Sequence, residues 1–320
     1  MESKTVLVTG GCGFIGSNIV DKLLEINTKK VIVIDNLFSG FEENISNHFG
    51  KNNFEFIKGD IRDYDLIKKI TKNVDIICHQ AAWGSVPRSI KVPREYHENN
   101  VLGFFNILEA ARENGVKRII YASSSSVYGD NNSLPKKEEN IGNALSPYAA
   151  SKFIDEIYAQ VYSRCYGIEL IGLRYFNVFG PKQNPAGAYA AVIPKFINNI
   201  LEKEEIIVNG DGNFSRDFTF IENVVNFNIK CMLIENKNAL NTVYNVACGE
   251  RNTLNDLLKI LEDELGKGKV TYGEERMGDI PHSLASIQKG QVLIEYNPEI
   301  KFEEGIKRTI EYFKIKKNKN

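Results

Sequence analysis

The chain has one tryptophan, four histidines and five cysteines in 320 residues. Cys12, Cys78, Cys165, Cys231 and Cys248 are scattered, with no CxxC pair and no zinc-ligand spacing to a histidine. That excludes a disulfide framework and offers no metal site; an odd set of isolated cysteines predicts buried, reduced thiols in a cytoplasmic protein. Neither sign of charge dominates, because 40 Lys+Arg face 41 Asp+Glu for a net charge of −1. A global electrostatic case for a nucleic-acid or membrane partner is missing, and neither partner is expected. No apolar run reaches the roughly 18 residues that a bilayer-spanning helix needs. The first twenty residues contain an apolar stretch, but Gly10, Gly11, Gly13 and Gly16 interrupt it and no small-residue cleavage site follows, so it is not read as a leader.

What is present is an alternation of strand-like and helix-like segments. Thr5–Thr9, Val31–Asp35, Phe54–Lys58, Val74–His79, Arg118–Ser123 and Glu169–Phe176 read as short apolar strands. Phe14–Asn27, Asn100–Asn114 and Pro147–Tyr166 read as helices between them. The strands are apolar on both faces, as in a parallel sheet with helices on either side. Past Phe176 the rhythm loosens: Gly180–Ala188 reads as a loop, Val192–Leu201 as a helix, Ile206–Val208 as a strand and Val243–Val246 as a strand returning to the first sheet. The lysine-rich ending Lys314–Asn320 predicts a frayed, solvated tail. The expected fold class is α/β, a Rossmann doubly wound parallel sheet joined to a smaller, discontinuous α/β domain. The first would take residues 1–176 plus about 217–247, and the second about 177–216 plus 248–320.

The first strand runs into Thr9-Gly10-Gly11-Cys12-Gly13-Phe14-Ile15-Gly16. Its glycines satisfy GxGxxG and GxxGxxG spacings equally. Glycines at these intervals matter when they follow a strand and open a helix, because a pyrophosphate must then approach backbone at the helix N-terminus. Asp35 ends the second strand, 19 residues after Gly16. An acid there hydrogen-bonds ribose hydroxyls and repels a 2′-phosphate, which favours NAD over NADP.

Ser146-Pro147-Tyr148-Ala149-Ala150-Ser151-Lys152 has the form of a helix start, with Ser146 as cap and Pro147 in the first turn. Tyr148 and Lys152 are i and i+4 and share a helix face. A lysine ammonium beside the phenol favours phenolate, which supplies a general base for an alcohol being oxidised to a ketone. Upstream, the fifth strand ends in Ser123-Ser124-Ser125-Ser126 at the sheet's carboxyl edge, where a serine can hydrogen-bond the reacting oxygen.

Together these residues resemble those of the extended short-chain dehydrogenase/reductases, specifically the nucleotide-sugar 4-epimerases, with the nearest likeness to bacterial UDP-N-acetylglucosamine 4-epimerases. The resemblance spans nearly the whole chain: TGGCGFIG (Thr9–Gly16), QAAWGSVPRSI (Gln80–Ile90), NNVLGFFNILEAAR (Asn99–Arg112), SSSSVYGD (Ser123–Asp130), SPYAASK, LRYFNVFGP (Leu173–Pro181), GAYAAVIPKF (Gly187–Phe196), NGDGNFSRDFTFIENVV (Asn209–Val225) and GDIPHS (Gly278–Ser283).

The resemblance implies that Tyr148 takes the proton of the sugar 4-hydroxyl while C4 is oxidised by tightly held NAD. The 4-keto sugar then presents its other face and is reduced again with inverted configuration. Ser124 and Lys152 complete the catalytic set. It further implies cofactor contacts from Gly10, Gly13, Phe14 and Ile15 at the turn, Asp35, Asn36, Ser39 and Gly40 at the adenosine ribose, and Asp60 and Ile61 at adenine. Gln80, Ala81, Ala82, Asn99, Ser123, Tyr148, Lys152 and Tyr175 would line the rest of the cofactor channel, with Asn99 opening the helix below the site. For a UDP-sugar it implies Asn177, Arg216 and Arg276 at the diphosphate, Val208 and Asn209 at uracil, and Asp279 at the uridine ribose. Gly84, Ser85 and Val86 would floor the sugar pocket, with Ser124, Ser125, Ser126, Tyr148 and Val192 also in contact. The two long helices pair in relatives as a four-helix dimer interface, so a homodimer is expected.

Ser283 falls where glucose/galactose-restricted relatives carry a tyrosine, and its short side chain should admit an N-acetyl group beside C2. Trp83 stands where a smaller apolar residue is expected. A 4,6-dehydratase would place an Asp-Glu pair after the active-site serine, where this chain has Ser125 and Ser126. A uronate 4-epimerase or decarboxylase remains open, with Arg88, Lys91 and Arg94 in a nearby loop. So does a noncatalytic NAD-binding sensor, although such proteins often lose the tyrosine or lysine retained here.

Overall fold

Successive residues of a strand point to opposite sides of a sheet, and in this chain both sides are apolar. In the computed structural model, which describes residues 1–186, 190–274 and 281–319, seven parallel strands make the central sheet. They are β1 (Thr5–Thr9), β2 (Lys30–Asp35), β3 (Phe54–Lys58), β4 (Ile76–His79), β5 (Arg118–Ser124), β6 (Glu169–Tyr175) and β11 (Thr242–Val246). Their order is β11-β6-β5-β4-β1-β2-β3. Val6 and Val8 of β1 pack with Ile19, Val20 and Leu23 of α1 (Phe14–Glu25) and with Val224 and Phe227 of α8 (Ile221–Leu233). Leu7 faces the other way, into a core with Ile67 of α2 (Tyr64–Ile70), Phe104 and Ile107 of α5 (Gly103–Asn114) and Ala159 of α6 (Pro147–Tyr166). The sheet is therefore covered on both faces. Strand order reverses at β1, which opens a crevice between the carboxyl ends of β1 and β4.

The remaining elements build a smaller unit against the α1/α8 side. It holds α7 (Val192–Leu201), α9 (Leu254–Leu265), α10 (Gln288–Ile294) and α11 (Phe302–Lys319). Three two-stranded ladders join them: β7 (Val178–Phe179) with β10 (Thr219–Phe220), β8 (Ile206–Asn209) with β13 (Val270–Gly273), and β9 (Ser215–Arg216) with β12 (Asn252–Thr253). Ile193, Phe196, Leu257, Leu261, Ile306 and Ile310 belong to the same core as Val6 and Val8, so apolar packing is continuous between the two units.

Three expectations fail for physical reasons. The tail at Lys314 is not frayed, because α11 runs to Lys319; Ile306, Ile310 and Phe313 extend its buried face, and Lys317 pairs with Glu202 at 2.9 Å. The helix expected from Asn100 starts earlier: α3 (Val86–Lys91) is followed by α4 (Pro93–Tyr96), which Pro93 opens, and a wider π-type turn over His97–Leu102 carries it into α5. Cys165 is exposed on the outer side of α6 while the other four cysteines are buried. Among the described residues no helix is long and apolar enough to cross a membrane, and no cluster of His, Cys, Asp and Glu could hold a metal ion.

Candidate active site

The turn after β1 is shaped by what it lacks. Gly10 has φ +67°, and a Cβ there would lie 2.7 Å from the Ala81 amide nitrogen; a Cβ on Gly16 would collide with the Gly10 carbonyl. Only glycine lets the three segments meet. Helix α1 starts at Phe14 with Gly13 as its cap, and no side chain satisfies its first N–H groups. These bare donors face a cleft of ≈ 220 Å³ lined by Gly10, Gly13, Phe14, Ile15, Asp35 and Asn36 among others. Bare N–H groups at a positive helix end fit a diphosphate.

Asp35 closes the next strand. Its carboxylate accepts from Cys12 N–H at 3.0 Å and from Leu37 N–H at 2.8 Å. Burial pushes this carboxyl up, and the surrounding backbone N–H groups pull it back down. A carboxylate has about four acceptor sites, so capacity remains for ribose hydroxyls. The groups present therefore fit a dinucleotide with a free 2′-hydroxyl.

The cleft continues past Ile15, Gln80 and Ala82 into a second cavity of ≈ 350 Å³. Tyr148, Lys152, Ser124, Ser125, Ser126, Tyr175 and Asn177 line it. Ser146 caps α6 by accepting the Ala149 N–H at 3.1 Å, which aims the first turns of that helix at the cavity. Ser124 accepts the Ser126 N–H at 3.1 Å, leaving its own hydroxyl proton to donate. Tyr175 donates to Gln80 at 3.0 Å and accepts from Asn228 Nδ2 at 3.0 Å, and burial pushes its phenol up, so it stays neutral.

Behind the cavity, α6 is held by charge. Arg174 of β6 grips Glu156 with two hydrogen bonds of 2.9 and 2.8 Å, both side chains being 3% exposed. Ser123 donates to the same carboxylate at 2.6 Å. Breaking such a pair by removing one partner costs about 3–5 kcal/mol, so the helix bearing Tyr148 and Lys152 has a fixed seat.

Residues 6–247 match the model of the NAD dependent epimerase/dehydratase family. The chain belongs to that family. NAD is its cofactor, and its enzyme class is that of the UDP-sugar 4-epimerases. It is 43% identical to a UDP-N-acetylglucosamine 4-epimerase from Methanobrevibacter ruminantium, solved with UDP-N-acetylmuramic acid, with a TM-score of 0.93 over 99% of this chain and 100% of the other. It is 36% identical to the Thermotoga maritima UDP-glucose 4-epimerase bound to UDP-glucose, with a TM-score of 0.90 over 98% and 99% of the two chains. At 29% identity it matches a Bacillus cereus UDP-glucuronic acid 4-epimerase holding UDP-glucuronic acid and NAD, with a TM-score of 0.90 over 97% and 99%.

Within this epimerase the structure gathers most of the expected residues around the two cavities. Gly10, Gly13, Phe14, Ile15, Asp35, Asn36, Ser39, Ile61, Gln80, Ala81, Ala82 and Asn99 line the cofactor cleft. Gly40 and Asp60 do not. Gly40 packs on Cys12, where a Cβ would come within 2.7 Å of backbone. Asp60 is occupied by Arg62, whose hydrogen bonds hold its carboxyl down to about 2, and by Asn36 Nδ2 at 2.9 Å. Asn99 sits inside the π-type turn and does not open a helix.

Of the expected sugar-pocket floor, Gly84 alone lines the catalytic cavity; Ser85 caps α3 through the Arg88 N–H at 3.2 Å, and Val86 begins that helix, partly exposed. Ser123 turns its hydroxyl to Glu156 instead of a ligand. The Val208 side chain is wholly buried in the core, which leaves Asn209 as the polar end of β8. Ser283 donates its N–H to Ser215 O at 3.0 Å, beside Arg216, and Val192 is the first residue of α7. Asn177 adopts φ +36° at the cavity edge. Arg276 and Asp279 lie outside the described residues.

Sequence reasoning missed Asp155, whose carboxylate lies 3.1 Å from Lys152 Nζ. The i+3 interval was a usable signal. It also missed Phe38, which lines the cofactor cleft beside Trp83; no local pattern marks that contact.

Proposed function

We propose that this epimerase interconverts UDP-N-acetylglucosamine and UDP-N-acetylgalactosamine through a transient 4-keto sugar, with plain UDP-hexoses as secondary substrates. The carrying observation is that Tyr148, Lys152 and Ser124 line one cavity continuous with the glycine-turn cleft. NAD, when bound, supplies the reversible two-electron oxidation at C4. Tyr148, as phenolate, takes the 4-hydroxyl proton and later returns it. The Lys152 ammonium steadies that phenolate, and Ser124 donates a hydrogen bond to the sugar oxygen. Asn177, Arg216, Arg276, Asn209 and Asp279 are proposed to hold the UDP half, and short Ser283 to leave room for the N-acetyl group.

Arg88 stacks on Trp83 and Phe38, and Arg94 pairs with Glu98 at 2.8 Å, which speaks against these two arginines as partners of a uronate carboxylate. Leu102, Ile157, Tyr158, Val161 and Tyr166 leave apolar surface exposed on the α5–α6 side, which supports a homodimer joined through those helices; a cytoplasmic location is proposed with it. The division into a cofactor unit (1–176 plus about 217–247) and a sugar-nucleotide unit (about 177–216 plus 248–320) is proposed with it.

The test is incubation of the holoenzyme with UDP-N-acetylglucosamine alone and product analysis by NMR. The galacto isomer should form without added reductant, and Ser283→Tyr should suppress it far more than conversion of UDP-glucose. Turnover of UDP-glucuronate with none of the N-acetyl sugar would overturn the substrate assignment. Bound NAD with no turnover on any UDP-sugar would favour a sensor.

A further inference from the structure

Trp83 is the sole tryptophan and stands in the QAAWGSVPRSI segment after β4. Phe38 follows β2. In the sheet, β1 lies between β2 and β4, and the glycine turn leaves its carboxyl end. Any contact between the β2 and β4 loops must therefore cross the mouth of that turn. The two rings make this contact, stacked with centroids 4.3 Å apart and planes at 17°.

Arg88 of α3 adds its guanidinium, 4.5 Å from the Trp83 ring centroid and 4.6 Å from that of Phe38. Both rings line the cofactor cleft. The Trp83 backbone is pinned: its N–H donates to Asn100 Oδ1 at 2.9 Å, and Asn100 Nδ2 donates back to its carbonyl at 3.2 Å. Its other side meets Tyr96 edge-on at 5.6 Å, and Tyr96 meets Tyr148 edge-on at 6.3 Å.

Phe38 is 46% exposed, so its burial contributes little to the fold. Its ring rests on the stack with Trp83, whose backbone is held in place. Stacked rings and a guanidinium on an aromatic face attract weakly enough to part and re-form. We propose that Phe38, Trp83 and Arg88 form a strap over the cofactor cleft that sets how long NAD stays bound. This suits an epimerase, in which the oxidation and reduction cancel within one turnover and the cofactor never has to be exchanged.

The experiment uses the holoenzyme diluted into excess isotopically labelled NAD, with loss of the original NAD followed by rapid filtration and mass spectrometry. Phe38→Ala and Trp83→Leu should each release NAD about tenfold faster. The double variant should be no faster than the faster single one, because one contact is lost in all three. Phe38→Tyr keeps the ring face and should release at the wild-type rate. Wild-type release from Phe38→Ala and Trp83→Leu overturns the proposal, as do effects that multiply in the double variant. A second readout is independent of turnover. Trp83 is the only indole, so its emission reports the stack, and Phe38→Ala should change it in the holoenzyme. Emission insensitive to that substitution overturns the proposal too.

Discussion

Lys152 and Asp155 form an ion pair of 3.1 Å in which each side chain is 2% exposed. The carboxylate lies three residues along α6 from the lysine, behind the cavity that holds Tyr148. Its second oxygen, Oδ1, is buried without a partner. Burial pushes the Asp155 carboxyl up to about 7, and the neighbouring Lys152 charge only partly offsets this.

Asp155 is thus a positioning residue for Lys152, and its ionisation should be visible in catalysis. Wild-type turnover should rise with pH through about 7, as the carboxylate forms and fixes the ammonium. Asp155→Asn should abolish that limb and lower turnover at alkaline pH by roughly tenfold. A limb that persists unchanged in Asp155→Asn would assign it to another group. The linked stability runs the opposite way to turnover: the folded carboxyl keeps its proton to higher pH than an unfolded one. The stability this group contributes is present in acid and lost as pH climbs from about 4 towards 7.

His79 should act in the opposite direction. It ends β4 and is buried beside Thr9 of β1, with Nδ1 2.8 Å from Thr9 Oγ1 and Nε2 unpartnered. Burial first, and the Lys152 charge second, hold it down to about 3. Below about pH 6.5 the unfolded chain gains a proton that the native ring refuses, so stability is lost as pH falls through that window, by at most about 1.4 kcal/mol per unit. Urea titrations at pH 7 and pH 5 should show the wild type losing about 2 kcal/mol more than His79→Phe. Equal losses would mean the ring protonates in the native state.

Cofactor choice is expected to rest on Asp35. Asp35→Ser removes the charge that opposes a 2′-phosphate together with the acceptor for the Cys12 and Leu37 N–H groups. Dissociation constants should show weaker NAD binding and a preference for NAD over NADP reduced by at least about tenfold. An unchanged preference would place selectivity elsewhere.

The chemistry-bearing local patterns are legible in the sequence itself. The glycine turn, Asp35 at a strand end, and Tyr148 with Lys152 one helical turn on are short-range arrangements, and short-range geometry follows from backbone period and sterics. The same logic read the sheet strands, because runs apolar on both faces have to be covered on both faces. It misread the lysine-rich end of α11, where Ile306, Ile310 and Phe313 outweigh the charges that follow them. The resemblance, not local spacing, implied Ser85 and Val86 as pocket floor, and in the fold Ser85 caps α3.

Only the tertiary structure could decide that Ser123 serves Glu156, that Val208 belongs to the core, and that Phe38 reaches Trp83 across the end of β1. Each of these depends on segments far apart in the chain. Which groups meet there is settled by how twisted strands and helices pack once their apolar faces are buried, and no local spacing encodes that distance.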